Sequence, residues 1–473
     1  MRKAKVIATV GPACSSPAML HKMIRAGVDV FRLNFSHGTH ESHRASVAGI
    51  RQVSSQLGIP AAIMQDLQGP KIRTGRTERG EPVELRRGRR VVITTRNVLG
   101  NSEVISTNYR RLSNDVRRHN RILLSDGLIE LRVRHVRSHD VECDVVSGGM
   151  LGEHQGINLP DVAVTAPSLT KKDKLDLRFG VEEELDFIAL SFVRSARNIA
   201  DLRKELRRLG ADIPVIAKLE KPESIDNLEA IFAVADGVMV ARGDLGVEIA
   251  PEKVPTIQKQ IILEASRKGK IVITATQMLE SMISAPHPTR AEASDVANAI
   301  FDGTDAVMLS AETAIGSFPV EAVEMMVRVI EEAEKVPSHS HFFHSQSRVR
   351  RIGFPDAICE AAYHASSFVQ ARYIIAFTQS GATANLIAKY RPASDILTFT
   401  PHKAIVRRLK LTWGVTPMQM RELANVDELI GAVESELLSR NLVRSGDKLV
   451  ILTGAPILEK GHTSLLKLHE VKR

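Results

Sequence analysis

The stretch "PVIAKLEKPESIDNLEAIFAVADGVMVA", residues 214–241, sets the architecture. An apolar run over 214–220 ends around a cation and an acid, Lys218 and Glu220. A helix-like segment near 223–232 follows, and then a second apolar run, 235–241. Neither run alternates polar with apolar residues, as a strand does when one face meets water. Continuous apolar strands joined by helices belong to a parallel sheet covered on both faces.

The same unit recurs along the chain. Strands are expected at 5–10, 28–35, 61–66, 185–192, 214–220, 235–241, 270–276 and 304–310. Helices are expected over about 17–26, 41–57, 195–209, 223–232, 255–268, 290–301 and 319–335. Eight strand–helix units predict a closed (β/α)8 TIM barrel, with an open doubly wound sheet as the competing arrangement. Residues 71–167 interrupt the rhythm. Their runs "RRVVITT", "RILLSDGLIELRVRHV" and "VECDVV" are alternating or β-branched, and "SDG" between two such runs signals a hairpin. They read as a small inserted β-barrel lid domain between the third strand and third helix, because insertions succeed at exposed loops. The predicted class is therefore α/β. The catalytic barrel takes 1–70 and 168–337, the all-β insert takes 71–167, a linker runs over 338–354, and an α/β domain with a parallel sheet takes 355–473.

Bulk properties narrow the function classes. A chain of 473 residues suggests several domains, and no run of about 18 apolar residues signals a membrane span. The opening "MRKAKVIATVGPACSS" has too short an apolar run for a signal peptide and reads as the first strand. Cys14, Cys143 and Cys359 lie far apart, which argues against a disulfide framework or zinc site and for a reducing, cytoplasmic setting. The net charge of +9 sits largely in short runs such as 86–90 and 348–351. With only 4% aromatic residues to stack on bases, it reads as a solvated basic surface, with no nucleic-acid or membrane partner.

In this barrel the chemistry collects at the C-terminal ends of the strands. Arg32, Asn34, Ser36 and His37 follow the second run, Asp66 the third and Ser191 the fourth. Lys218 and Glu220 end the fifth. Arg242, Gly243 and Asp244 follow the sixth, Thr276 the seventh and Glu312 the eighth. Any one of these alone is as well explained by a structural ion pair; their convergence on one rim is the signal. "QDLQGPKIRTG" (65–75) sets Lys71 and Arg73 beside Asp66, an arrangement that a phosphate, a metal or a salt bridge would each explain. Glu220 and Asp244 are hard oxygen ligands suited to Mg2+ or Mn2+. Arg32, Arg73 and Lys218 suit phosphate oxygens. The glycines of "RGDLG" let backbone N–H groups approach an anion. These residues point to metal-assisted chemistry on a phosphorylated acid.

The motifs "RLNFSHG" (32–38), "GPKIRTG" (69–75), "AKLEKPES" (217–224), "ARGDLGVEI" (241–249), "TATQMLESM" (274–282) and "PTRAEASDVANAIFDGTDAVMLSAETAIG" (288–316) resemble pyruvate kinase, and the resemblance covers essentially the whole chain. It implies a glycolytic phosphotransferase converting phosphoenolpyruvate and ADP to pyruvate and ATP. It further implies Glu220 and Asp244 as ligands of Mg2+ or Mn2+, and Lys218 as the group stabilising the phosphoryl in flight. Substrate would be held by Arg32, Lys218, Gly243, Asp244, Thr276 and Ser191, with Thr276 near the enolate protonation step. Nucleotide phosphates would meet Asn34, His37 and Arg73. A cytoplasmic homotetramer with a regulatory C-terminal domain is also implied.

Three departures from the family pattern stand out. Many members hold K+ through positions matching Asn34, Ser36, Asp66 and Leu67, with a glutamate at position 71. Here Leu67 has no ligating side chain and Lys71 supplies a cation, so "DLQGPK" resembles the K+-independent branch, with Lys71 and Arg73 joining the catalytic set. Many members carry a lid lysine where this chain has Gln155. "TQSGATAN" (378–385), with Thr378, Ser380, Gly381 and Thr383, resembles an effector-phosphate loop; a plain helix cap is its bland reading. "TGAPILEKGHTS" (453–464) lacks the Trp/Arg pattern of fructose 1,6-bisphosphate binding, which favours a sugar monophosphate or AMP as activator. A metal-dependent barrel lyase or aldolase, and a non-catalytic RNA-binding protein, are the alternatives from other classes.

Overall fold

Eight parallel strands close into a barrel: Lys5–Thr9, Val30–Asn34, Ala62–Leu67, Phe187–Leu190, Val215–Leu219, Gly237–Ala241, Ile271–Ala275 and Ala306–Leu309. The computed structural model describes residues 2–160, 162–336, 353–423, 425–454 and 463–472. The first strand pairs with both the second and the eighth, which excludes the open-sheet alternative. Its interior is packed by residues such as Met64, Phe187, Met239 and Met308, and Leu411 from the C-terminal domain joins that cluster. The outer layer of helices is punctuated as the sequence leads one to expect. Pro17–Ala26 starts at Ser16, whose side chain accepts from Met19 N–H, and ends at Gly27 in the left-handed conformation. Thr39, Thr170 and Thr289 form capping boxes at three further helix starts.

One helix differs from expectation. The segment near 223–232 is two helices, Pro222–Asp226 and Leu228–Val234. Asn227 stands at the break, and its side-chain amide donates to the carbonyls of Glu223 and Arg194. A short amide side chain that binds local backbone competes with the helix ladder.

Between Leu67 and the helix Lys171–Glu182, the chain leaves the barrel and builds a six-stranded sheet and a two-stranded ribbon with a core of their own. The expected hairpin is present: Arg121–Leu124 pairs antiparallel with Ile129–Val136 across Ser125, Asp126 and Gly127, all at positive φ. One helical turn, Leu112–Asp115, interrupts the all-β pattern.

The C-terminal sheet has five strands. Val415–Gln419, Asp395–Thr400, Tyr373–Phe377 and Lys448–Thr453 run parallel. Leu465–Glu470 pairs antiparallel on one edge, which corrects the purely parallel reading. It carries Lys467 and His469 among its apolar positions, so its pattern is not that of a doubly buried strand. The expected linker lies outside the described residues up to 352, and the helix Phe354–Phe368 begins at its last position. Most of "TGAPILEKGHTS" also lies outside the described residues.

Candidate active site

A cavity of about 350 Å3 opens at the C-terminal rim of the barrel. It gathers Arg32, Asn34, Ser36, His37, Lys71, Ser191, Lys218, Glu220, Asp244 and Thr276. The rim brings them together because each strand's inward, polar residue falls where the apolar run stops. Asp66 lies beneath this surface, Gly243 meets it through Thr276, and Arg73 is not among the lining residues but lies close enough for its charge to act on His37.

The floor is one connected ion cluster. Asp66 is 1% exposed and bridges two cations: Oδ2 is 2.6 Å from Arg32 Nη2, and Oδ1 is 3.2 Å from Lys218 Nζ. Lys218 Nζ also lies 2.9 Å from Glu220 Oε1 and donates to Ser191 Oγ at 2.9 Å. The Ser191 hydroxyl in turn donates a hydrogen bond to the Leu67 carbonyl at 2.7 Å. Burial opposes the Lys218 charge, but Asp66 and Glu220 outweigh it and hold its pKa above the ordinary lysine value. For Asp66 burial acts upward, yet Lys218 and Arg32 bring it below the usual carboxylate range. Glu220 is pushed up, by burial first, with Lys218 opposing and Asp244 adding to the rise.

Arg32, Lys71 and Lys218 thus face Asp66, Glu220 and Asp244, three charges against three. A phosphorylated acid entering this balance brings an excess of negative charge that a divalent cation would neutralise. Two carboxylates that repel each other at the cavity wall are a fitting donor set, since Mg2+ takes one or two carboxylates and fills its shell with water and phosphate oxygens. Among the described residues no cluster of three or more His, Cys, Asp or Glu side chains competes for a metal.

The other wall is electropositive. His37 is kept below the ordinary histidine value, by burial first and then by Arg73, Lys71 and Arg32. A neutral imidazole among cations suits phosphate oxygens. The Arg73 guanidinium donates to the His154 carbonyl at 2.9 Å, so it is held by the insert. Lys71 makes no ion pair among the described residues, and the bland Lys71–Asp66 pair is excluded by Asp66's own partners. Gly69 turns the chain here at φ 66, and a Cβ on it would come within 2.9 Å of the Phe192 ring.

Several contributors escaped sequence reading. Thr9 Oγ1 accepts from Arg32 Nη1 at 3.0 Å and faces the cavity. Phe192, at φ 54, donates its backbone N–H to Glu220 Oε2 at 2.8 Å. Gln68 and Ser310 also line the cavity, and the Ser310 hydroxyl is buried with no hydrogen-bond partner among the described residues. A signal existed for Thr9, which ends the first strand as Ser191 ends the fourth; none marked the left-handed turn at Phe192. Glu312, flagged at the eighth strand, instead turns its carboxylate onto the N–H groups of Ser310 and Leu279.

In the C-terminal domain, Thr378, Ser380 and Thr383 line a small pocket of about 40 Å3 together with Arg421. Gly381 sits at φ 90 and donates its N–H to Thr378 Oγ1 at 2.8 Å. Thr383 Oγ1 lies 2.7 Å from Thr463 Oγ1.

Comparison with known proteins decides the assignment. Residues 1–323 match the profile of the pyruvate kinase barrel domain, and residues 356–469 that of the pyruvate kinase alpha/beta domain. The chain belongs to the pyruvate kinase family. Pyruvate kinases of Staphylococcus aureus strains MRSA252 and USA300 are each 44% identical over 473 residues, covering 100% of this chain and 81% of theirs. The crystal structure of a pyruvate kinase from Cryptosporidium parvum superposes with a TM-score of 0.94 at 38% identity, covering 99% of this chain and 96% of that one. The enzyme is a phosphotransferase that interconverts phosphoenolpyruvate and ADP with pyruvate and ATP. This excludes the lyase and RNA-binding alternatives as its main role. Among the described residues no helix is long and apolar enough to cross a membrane.

Proposed function

We propose that this pyruvate kinase transfers the phosphoryl group in the barrel-top cavity with Mg2+ or Mn2+ held by Glu220 and Asp244, and without K+. The observation that carries this reading is the Lys218 ammonium locked between Asp66, Glu220 and Ser191 in a charge-balanced cavity. Bound there, the divalent cation supplies neutralisation of phosphate charge. Phosphoryl transfer needs positioning and charge more than covalent help. Lys218 meets the phosphoryl group in flight, and Arg32, fixed by Asp66 and Thr9, holds the substrate phosphate. The backbone N–H groups of Gly243 and Asp244 receive the substrate carboxylate, Gly243 sharing a donor that now serves Thr276 Oγ1 at 2.8 Å. Ser191 orients Lys218, and Thr276 stands at the enolate protonation step. Asn34, His37 and Arg73 form the shelf for nucleotide phosphates.

Residues 71–167 act as a lid on the barrel of 1–70 and 168–337. Support comes from Asn158, whose amide donates to Glu248 Oε1 of the barrel at 2.8 Å beside the Lys221–Glu248 pair. A closed lid keeps water from the phosphoryl group. Lys71 takes the charge role of K+ near Asn34, Ser36 and Asp66. The pocket of Thr378, Ser380 and Thr383 in the domain over 355–473, with Gly381 bonded to Thr378 behind it, binds a phosphorylated activator, a sugar monophosphate or AMP; Arg421 there supports an anion. Three buried thiols, Cys14, Cys143 and Cys359, support a reducing cytoplasm. A homotetramer is the expected assembly, checked by light scattering.

The deciding experiment is a coupled assay of ADP-dependent pyruvate formation, run with and without Mg2+ and with K+ replaced by a bulky organic cation. Activity that needs Mg2+ and ignores K+ supports the reading. Full activity in a chelator would overturn the metal assignment, and a strong K+ requirement the role of Lys71.

A further inference from the structure

The seventh strand ends in an unusual turn. Thr276 and Gln277 follow one another at φ 67 and 53, in the left-handed region that a β-branched residue such as threonine avoids. Two adjacent non-glycine residues hold such a conformation only where their surroundings over-determine it. Here the determinant is Arg242, the first residue beyond the sixth strand. Its Nη2 donates to the Thr276 carbonyl at 2.8 Å and to the Gln277 carbonyl at 3.0 Å, and its Nε adds a second bond to Thr276 at 3.2 Å. The opposite edge of the guanidinium is anchored by Asp295, whose Oδ2 lies 2.6 Å from Nη1 on the helix Arg290–Phe301. Lysine could not span these sites, because the planar fork offers several donors in fixed directions.

The consequence reaches the cavity through Thr276 Oγ1. That hydroxyl donates to the Ala275 carbonyl at 2.6 Å and accepts from the Gly243 N–H at 2.8 Å. Gly243 is the neighbour of Arg242, and Asp244 comes next. One guanidinium therefore locks the end of the sixth strand, with the Gly243 N–H and the Asp244 carboxylate, to the end of the seventh, with its hydroxyl.

We propose that Arg242, anchored by Asp295, is a positioning residue that sets the Thr276 hydroxyl for the proton step and contributes little to phosphoryl transfer. In the reaction the bridging P–O bond of phosphoenolpyruvate breaks and an ADP β-phosphate oxygen bonds to phosphorus. The enolate left behind takes one proton at C3 to become pyruvate. Arg242 touches none of these atoms. Its clamp decides whether the Thr276 hydroxyl faces C3, so its loss separates the two halves of the reaction. This rests on the assignment of Thr276 to the proton step.

The test uses the full chain carrying Arg242→Lys, Arg242→Met and Asp295→Asn, with Thr276→Ala as reference. Hydrogen–deuterium exchange at pyruvate C3, followed by NMR, reads the proton step. Single-turnover ATP formation reads transfer. In Arg242→Lys and Arg242→Met, exchange should fall at least tenfold more than transfer, with KM for phosphoenolpyruvate within threefold. Asp295→Asn should move in the same direction by a smaller factor. Asp295 is 40% exposed, so this variant keeps the ratio measurable even if the Arg242 variants fail to fold. Equal losses in both half-reactions, or no loss in either, would overturn the proposal and leave Arg242 a structural clamp. If Thr276→Ala loses exchange while the Arg242 and Asp295 variants keep it, this inference alone fails. If Thr276→Ala keeps exchange, the assignment of Thr276 fails and takes the inference with it.

Discussion

Lys218 Nζ lies 2.9 Å from Glu220 Oε1 at the mouth of the fifth barrel strand, and each group depends on the other for its charge. With Lys218 removed, Glu220 and Asp66 are buried carboxylates short of a partner. Lys218→Met should therefore slow phosphoryl transfer by about 10²- to 10³-fold, the range for losing one donor at developing charge. It should also cost about 3–5 kcal/mol of stability, as when half of a buried pair is deleted. Single-turnover ATP formation and urea denaturation measure the two effects. Exchange on pyruvate should partly survive, because Thr276 remains. Transfer at the unmodified rate would reduce Lys218 to a structural cation.

Glu220 and Asp244 should be separable by direct metal binding. Asp244 is half-buried on the helix Arg242–Glu248, so Asp244→Ala should leave the fold intact. Its Mn2+ affinity, read by electron paramagnetic resonance, should weaken on the order of 100-fold, about 2.8 kcal/mol. Turnover should fall with it. Unchanged Mn2+ binding in folded Asp244→Ala would remove Asp244 from the metal site.

The barrel was legible because its strands are buried on both faces and each stops at a polar residue. "PVIAKLE" marks strand and site residues in the same seven letters, "ADGVMVA" marks a strand whose site residues follow directly at 242–244, and the observed strands Val215–Leu219 and Gly237–Ala241 fall inside them. What escaped depended on partners far along the chain. Asn227 breaks a helix by reaching the Arg194 carbonyl, and Glu312 turns inward to cap Leu279, neither visible from local pattern. Arg242 was conspicuous as a strand-end cation, but its purpose emerges only from the left-handed turn 34 residues away. Leu465–Glu470 was missed as a strand because an edge position does not demand a continuous apolar run.

The contact between the barrel base and the C-terminal domain should show its own pH signature. Lys5 Nζ is buried and donates to the Val415 carbonyl at 2.8 Å. Burial lowers its pKa from 10.5 to about 8, with Asp29 opposing and Lys410 and Arg2 assisting. Between those values the unfolded chain binds the extra proton, so stability rises as pH rises. Relative to Lys5→Met, the unmodified enzyme should gain about 3 kcal/mol between pH 8 and 10.5, at about 1.4 kcal/mol per pH unit. Denaturation midpoints across that range check it. A constant difference between the two proteins would mean that Lys5 titrates normally in the folded state.

The effector loop calls for a different readout. Ser380 is exposed at its pocket, whereas Thr383 is buried against Thr463. Double substitution to Ala should abolish activation by a sugar monophosphate or AMP and leave basal turnover within about twofold, since the loop lies in another domain from the chemistry. Calorimetry with glucose 6-phosphate and AMP reads binding without turnover. If neither compound binds the unmodified enzyme, the loop is a helix cap and nothing more.

Lys71 carries the last prediction. Asp66 is fully engaged by Arg32 and Lys218, and the Leu67 carbonyl is taken by Ser191, so two of the groups expected around K+ are already satisfied. The Lys71 ammonium faces the same cavity without an ion pair among the described residues. A unit charge about 4 Å from a phosphate oxygen is worth roughly 4 kcal/mol at an effective dielectric near 20, before desolvation. A tethered charge of that size needs no salt in solution. Turnover should therefore be near maximal in buffers whose only monovalent cation is a bulky organic one. Lys71→Glu should lose on the order of 100-fold there, because the change both removes a favourable charge and adds a repulsive one. K+ should restore only part of that loss, since Leu67 offers no side-chain ligand. Full rescue by K+ would show that the cation site is complete without Lys71. A steep K+ dependence of the unmodified enzyme would show that the ammonium does not replace the ion.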